Sequence, residues 1–427
     1  MMLRIWPLLA FLFNPLALCN NSDTSNDPFA DDPFKNEASQ INNNHDHKSR
    51  IELKGYYQHN NLRTDHPFNP GEELFSDKVK LVSLDAQLES DWQNQWKTRG
   101  RIYLRYLDEG HKDATKSTLL EGIAQWQSKD RNLIIELGRS KPQWSNGYNY
   151  DIANMLQPQR SLPYIDQDNP LQSKGWDMVS GQYFNGPWSF SAYLVASENP
   201  YVDTNSEAVL RLGYQDNDSF SLLLNKIEGQ NLSFGATYSS LLTDSITFRT
   251  EWTRHSYRQM ISSLKIKQQS NYQRLVLGST YTADSGWSLT GEYFYNEHGA
   301  NKQEWENVTA DAAASAERLR QNQSTDPATD YKNTYTGLNL MSQGWVRERY
   351  FSFMFMSIES EDLWQLRLSS QYSLDDSSSL YRLELHKSFN DNFSARLQWQ
   401  VFNGCDLCEY GLSPSNNDVR LTGSWLF

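Results

Sequence analysis

From Ile51 to Phe427 apolar and polar residues alternate with a period of two, in segments of about ten residues, the length a tilted strand needs to cross a hydrocarbon layer. Thr98 to Leu107 (TRGRIYLRYL) shows the pattern clearly: Ile102, Leu104 and Tyr106 share one face, and Arg99, Arg101, Tyr103 and Arg105 share the other. The chain closes the same way, with Val419, Leu421, Gly423, Trp425 and Phe427 opposite Arg420, Thr422 and Ser424. Short turns rich in Asp, Asn, Gly and Ser separate these segments at Asp91 to Trp96, Ser128 to Asn132, Phe184 to Trp188, Asp216 to Ser219, Leu242 to Ser245, Ala283 to Trp287, Glu359 to Leu363 and Asn390 to Phe393. Longer connections fall near residues 60–76, 141–173, 257–270, 298–346 and 404–417. This alternation of short and long links predicts an all-β, transmembrane antiparallel barrel of about eighteen strands, sixteen being the alternative, with periplasmic turns and external loops.

The first residues set the compartment. Met1 to Arg4 carries one positive charge, Ile5 to Leu18 is apolar apart from Asn14, and Ala17-Leu18-Cys19 has the spacing of a cleavage site. Residues 1–19 therefore read as a secretory signal peptide, too short and too Pro-interrupted for a spanning helix. A lipoprotein reading through Cys19 is disfavoured because Leu18 stands where a small residue is expected. Residues 20–48 are rich in Asn, Asp and Ser and contain the near-repeat DPFADDPF. Such a segment buries too little apolar surface to order itself, so it reads as a disordered periplasmic tail, with a periplasmic partner for the Asp-Pro-Phe units as a further option. His45-Asp46-His47 reads as solvated linker in preference to a metal site, and residues 49–427 form the barrel.

Composition supports the membrane reading. Only 38% of residues are hydrophobic, yet 13% are aromatic, including 14 Trp, 23 Tyr and 19 Phe. Many rings and few aliphatics suit strands with one greasy face and aromatic girdles at both interfaces. A soluble multi-blade or solenoid β protein is the alternative class. Cys405 and Cys408, in GCDLCEYG, lack the βαβ context of a redox dithiol and read as a disulfide in an exported loop. The Ala-rich stretch Glu304 to Gln321 predicts a helix within the long 298–346 loop, serving either as a lid over the pore or as a surface cap.

Charge follows from parity. In a closed barrel the lipid face is apolar, so charges are confined to the lumen and rims. Arg99, Arg101, Arg105, Arg211, Arg249, Arg274, Arg367, Arg382, Arg396 and Arg420 fall opposite the apolar members of their strands, as do Glu52, Asp85, Glu89, Glu121, Glu136, Glu251, Glu292 and Glu384. A net charge of −13 then concentrates acid in loops and tail. An Arg-lined passage attracts anions, whereas cross-strand Arg–Glu pairing would stiffen a plugged wall. Catalytic motifs are lacking: no GxSxG, HExxH or P-loop occurs, and neither His255 nor His386 has a recognisable nucleophile beside it in sequence. The chain is thus expected to be a channel, not an enzyme, with no cofactor, no metal and no nucleic-acid partner. The remaining classes are a structural or adhesive barrel working through its external loops, and a rim hydrolase near His255.

The segment Leu137 to Gln157 (LGRSKPQWSNGYNYDIANMLQ), a strand ending in Gly-Arg followed by a Trp/Gly/Tyr loop, resembles the loop of alginate-export-type outer-membrane porins. Together with the terminal Phe427, the barrel-long alternation also resembles outer-membrane proteins handled by the barrel-assembly machinery. The resemblance implies an eighteen-stranded monomeric barrel of the Gram-negative cell outer membrane, in contact with lipid and lipopolysaccharide. It further implies an Arg-rich lumen that passes an acidic polysaccharide, with Arg99, Arg101, Arg105, Arg139 and Lys141 on the path. The balanced acidic residues depart from a purely electropositive pore.

Overall fold

The computed structural model describes residues 47–71, 75–92, 95–110, 113–156, 174–196, 206–216, 218–255, 271–341, 345–357 and 364–427. The expected signal peptide, nearly all of the expected tail, the turn at 359–363, the loop at 257–270 and the distal part of the 141–173 loop lie outside them.

Eighteen strands follow in chain order: β1 (His47–Leu62), β2 (Lys78–Trp92), β3 (Trp96–Asp108), β4 (Asp113–Gln127), β5 (Leu133–Ser140), β6 (Trp176–Asn185), β7 (Trp188–Val195), β8 (Glu207–Gln215) and β9 (Asp218–Ile227) form the first half. The second half is β10 (Leu232–Thr243), β11 (Ile246–His255), β12 (Tyr272–Thr282), β13 (Ser288–Asn296), β14 (Arg349–Met356), β15 (Trp364–Ser373), β16 (Ser379–Ser388), β17 (Phe393–Asn403) and β18 (Ser415–Leu426). Each strand pairs antiparallel with its sequence neighbours, and β1 pairs with both β2 and β18, so the sheet closes on itself with no free edge. Phe427 and Ile51 exchange backbone hydrogen bonds across that seam. The first strand begins at His47, two residues ahead of the expected start of the barrel at residue 49. The described turns fall where expected, at the even-to-odd connections.

Parity holds around the wall. Ile102, Leu104 and Tyr106 of β3 face outward, as do Leu210, Leu222, Leu224, Leu397, Val419 and Leu421. Trp92, Trp96, Trp188, Trp364, Phe389 and Trp425 are exposed on the outer face near the short turns, where rings with one wet edge are favoured. A bulge at Leu120 adds one residue to β4 opposite Arg101 and Ile102, and restores the inward parity of Thr118 and Lys116 beyond it. Among the described residues no helix is long and apolar enough to cross a membrane. The closed eighteen-stranded barrel with an apolar outer belt is the architecture of an outer-membrane protein.

Two helices stand in the long β13–β14 connection, α1 (Lys302–Arg320) and α2 (Pro327–Met341). The Ala-rich helix expected over 304–321 is α1, opened by a capping box between Asn301 and Glu304. The second helix was not expected from composition. It joins α1 through the bidentate Arg318–Asp330 pair, 2.5 and 3.1 Å, which holds the Asp330 carboxyl well below the usual carboxylate range.

Candidate functional site

Strand parity carries the expected arginines Arg99, Arg101, Arg105, Arg211, Arg249, Arg274, Arg367, Arg382, Arg396 and Arg420 to the lumen face. Most are bound there by acids or amides. Arg101 grips Asp85 through Nε and Nη2 (3.0 and 2.7 Å), and Arg99 lies between Glu121 (3.5 Å) and Glu89 (3.8 Å). Glu384 receives Arg367 at 3.5 Å and Arg382 at 3.7 Å. From Arg382 the row continues across β17 and β18: Arg382 donates twice to Gln400, which donates to Asp418 at 3.2 Å. On β18 Arg420 donates to Gln58 of β1 and lies 4.6 Å over the Tyr56 ring. Arg274 donates to Asn296, and Arg396 stands opposite His386. This continuous polar ladder on β15–β18 and β1–β4 uses Gln58, Gln400 and Asp418, three residues that a search for cations alone passes over.

Arg105 differs from these neighbours. Its hydrogen-bonding row reads Lys54, Ser83, Arg105 and Lys116 across β1 to β4, three cations with no acid among them. The buried Arg105 Nε has no hydrogen-bond partner among the described residues. Arg139 is a correction to the expected path. Its register with Gly122 and Asp177 puts it on the face of Leu137 and Val179, which is the outer face, and it binds Asp177 there at 2.6 and 2.8 Å. The left-handed Gly138 before it turns the strand end without changing that parity. Lys141 follows β5 at the root of the next loop.

That loop enters the barrel. Residues 144–156, expected on the outside as an external loop, cross the lumen and are pinned to the far wall by two carboxylates. Glu251 of β11 accepts from Ser145 Oγ at 2.7 Å, from the backbone N–H of Gly147 and Ala153 at 3.0 Å each, and from Asn146 N–H. Glu292 of β13 accepts from the N–H of Tyr148 (2.9 Å) and Asn149 (2.8 Å) and pairs with Arg249 at 3.2 Å. The Arg249 guanidinium lies 4.0 Å over the Tyr148 ring. Asn149 and Tyr150 then reach Ser352 of β14 and Gln371 of β15. Gly147 is required where it stands: a Cβ would meet the Tyr150 carbonyl oxygen at 2.1 Å.

On the near side the same loop is seated by apolar contact. Trp144, Ala153, Met155 and Leu156 pack against lumen-facing Met178, Tyr193, Val195, Val209 and Leu223 of β6–β9. Charge parity does not reveal this greasy inner wall, because it looks like any other strand alternation until the loop is seen to fill it.

Above the mouth, external loops pack into a cap. Phe68, Ala300, Trp305, Ala312, Val346 and Leu412 form its apolar centre, so α1 belongs to a surface cap and the lumen constriction is made by the 144–156 loop. Trp305 Nε1 donates to the Leu407 carbonyl at 2.7 Å, and Cys405 and Cys408 are disulfide-bonded in that loop. His66 reaches the Leu412 carbonyl, and burial pushes its pKa down. Next to Cys408 in sequence, Glu409 is buried, and that burial, with Asp376 beside it, pushes its carboxyl up to about 8. Tyr350 donates to both Glu409 oxygens at 2.9 Å. His255, the residue considered for a rim hydrolase, stacks on Tyr272 (4.9 Å) and bonds the Thr253 hydroxyl, contacts of a packed wall residue.

No protein-family model matches this chain, and no curated protein matches it in sequence. Its fold is that of solved outer-membrane porins. OprD of Pseudomonas aeruginosa is similar at TM-score 0.50 and 13% identity, over 90% of this chain and 95% of that one. OccAB1 of Acinetobacter baumannii is similar at TM-score 0.52 and 9% identity, over 89% and 96%. OccK2 (OpdF) of P. aeruginosa, solved in complex with glucuronate, is similar at TM-score 0.50 and 8% identity, over 90% and 98%. At these identities the likeness is one of fold: the chain shares the closed eighteen-stranded barrel architecture of these outer-membrane proteins, and the alginate-export resemblance finds no match of its own.

Proposed function

We propose that this chain is an outer-membrane channel that passes small hydrophilic solutes, anions preferentially, along the polar ladder of β15–β18 and β1–β4 and beside the inward loop. The observation that carries the reading is the row of Lys54, Arg105 and Lys116, which concentrates cation on one wall of the lumen without a carboxylate in register. A narrow, low-dielectric passage focuses such a field and raises the local concentration of anions. Arg99, Arg101 and Arg367, each part-exposed, exchange their acid partners for a passing anion at little net cost, since cross-strand pairs with part-exposed members are individually weak. Glucuronate, bound by the structurally similar OccK2, is a sugar carboxylate of this class. An acidic polysaccharide is the larger alternative, and the crossing loop favours solutes short enough to pass beside it.

Planar-bilayer recording of the refolded chain under a salt gradient tests the reading. Discrete openings with a reversal potential on the anion side support it, and a folded but silent barrel sinks it. A plugged barrel acting through its external cap is the second reading, favoured by the apolar fill between the loop and β6–β9.

A further inference from the structure

We propose that the lumen holds a second anion site on the wall opposite the ladder, where Arg211, Ser191 and Ser221 bind a small oxyanion, a carboxylate or phosphate. The site lies on the turn side of the inward loop. It rests on the channel reading only for the route by which solute reaches it.

The geometry is fixed by three adjacent strands. Arg211 of β8 stands directly between Ser191 of β7 and Leu223 of β9, and the next row toward the turns reads Ser189, Gly213 and Ser221. Arg211 Nη2 donates to Ser221 Oγ at 2.8 Å. Gly213 makes room for this arrangement: a Cβ there would approach Ser189 Oγ at 2.5 Å and Arg211 Nη2 at 3.2 Å. The Ser191 side chain is only 5% exposed, and its hydroxyl lies beside the Tyr193 hydroxyl without a well-formed hydrogen bond among the described residues. Arg211 Nε is likewise without one.

Three other arginines of the wall have an acid in reach, Asp85 for Arg101, Glu292 for Arg249 and Glu384 for Arg382. Among the described residues no carboxylate lies within salt-bridge distance of Arg211. A half-buried guanidinium without a countercharge is costly, and the cost falls when an anion supplies it. The planar fork of Arg presents parallel N–H donors that match two oxygens of a carboxylate or phosphate, and serine hydroxyls beside it donate to the remaining lone pairs. Tyr193, Val209 and Leu223, packed with Met155 of the loop, close the external side with apolar groups, which limits the ligand to a small one.

The test uses the full refolded chain in detergent at constant ionic strength, titrated separately with sodium acetate and sodium phosphate against sodium chloride, with thermal unfolding as readout. An anion that binds only the folded barrel raises the melting temperature saturably. A saturable rise with acetate or phosphate, lost in Arg211→Gln and shifted at least about tenfold to higher concentration in Ser191→Ala/Ser221→Ala, is expected. Which salt saturates at lower concentration identifies the carboxylate or the phosphate as ligand. The serine pair keeps the proposal testable should Arg211→Gln fail to fold. An equal response in the wild type and both variants, no response beyond chloride, or a response abolished by Arg382→Gln in its place would each overturn the site. A silent bilayer would overturn the channel reading and leave this titration untouched.

Discussion

The backbone N–H of Ala153 donates to Glu251 Oε2 at 3.0 Å, joining residues 98 positions apart, and Oε1 of the same carboxylate takes Ser145, Asn146 and Gly147. One buried acid thus ties down both limbs of the segment that narrows the lumen. Replacing it by alanine orphans the backbone donors of Asn146 and Ala153 and the Ser145 hydroxyl proton, each costing about 1–3 kcal/mol where water cannot reach, and leaves Gly147 N–H only Ser145 Oγ at 3.2 Å. Glu251→Ala is expected to lower the melting temperature of the folded barrel and to turn steady openings into noisy ones. Glu251→Gln keeps an acceptor and gives a smaller loss on both counts. Equal, quiet openings in all three proteins would show that the loop is held by its apolar seat alone.

Cap packing makes a second test. In α2, Gly337 faces α1 and the first external loop so closely that a Cβ would lie 2.7 Å from the Ala312 methyl and 2.9 Å from the Phe68 ring. Gly337→Val is expected to lift the hairpin from the Phe68, Trp305 and Leu412 centre and to speed proteolytic cutting within residues 302–341, with the heat resistance of the barrel unchanged. Unaltered cutting would mean that the two helices tolerate the added volume by sliding.

A pH dependence follows from Glu409. Its folded value of about 8 stands above the ordinary carboxyl value of 4.5, so the folded cap binds the proton more tightly than the unfolded one. The stabilisation is fully present below about pH 4.5 and is lost as pH rises toward 8, by about 1.4 kcal/mol per pH unit over that window. Protease resistance of the cap in wild type is expected to fall across this range. Glu409→Gln, which cannot ionise, should flatten the profile. A wild-type profile flat between pH 5 and 9 (about the window's span) would contradict the assignment.

How far the sequence reveals this architecture depends on the physics of each part. Strand parity is legible because one face of a spanning strand must be apolar, and that rule alone placed Arg101, Arg211, Arg382 and Arg420 inside the barrel. Arg139 was set on the path by the loop resemblance and not by parity, and its outward pair with Asp177 is tolerated because rim positions lie beyond the hydrocarbon layer. The α2 helix was missed because Thr, Asn and Gly337 lower its propensity. Its start, Asp326-Pro327 with Thr329 on the Asp326 carboxylate, is a readable cap signal. The inward course of residues 144–156 was invisible because its partners, Glu251 and Glu292, are distant in sequence and look like any other lumen carboxylates.

The most direct test of an anion path along the ladder is the reversal potential of Arg105→Glu/Lys116→Glu against wild type in the same salt gradient. Both side chains belong to the row without acids, so the exchange replaces two cations by two anions and, among the described residues, breaks no ion pair. The account predicts an anion-selective wild type and a variant whose selectivity moves to neutral or cation-selective at similar conductance. An unchanged reversal potential would contradict it and place the current, if any, away from this wall.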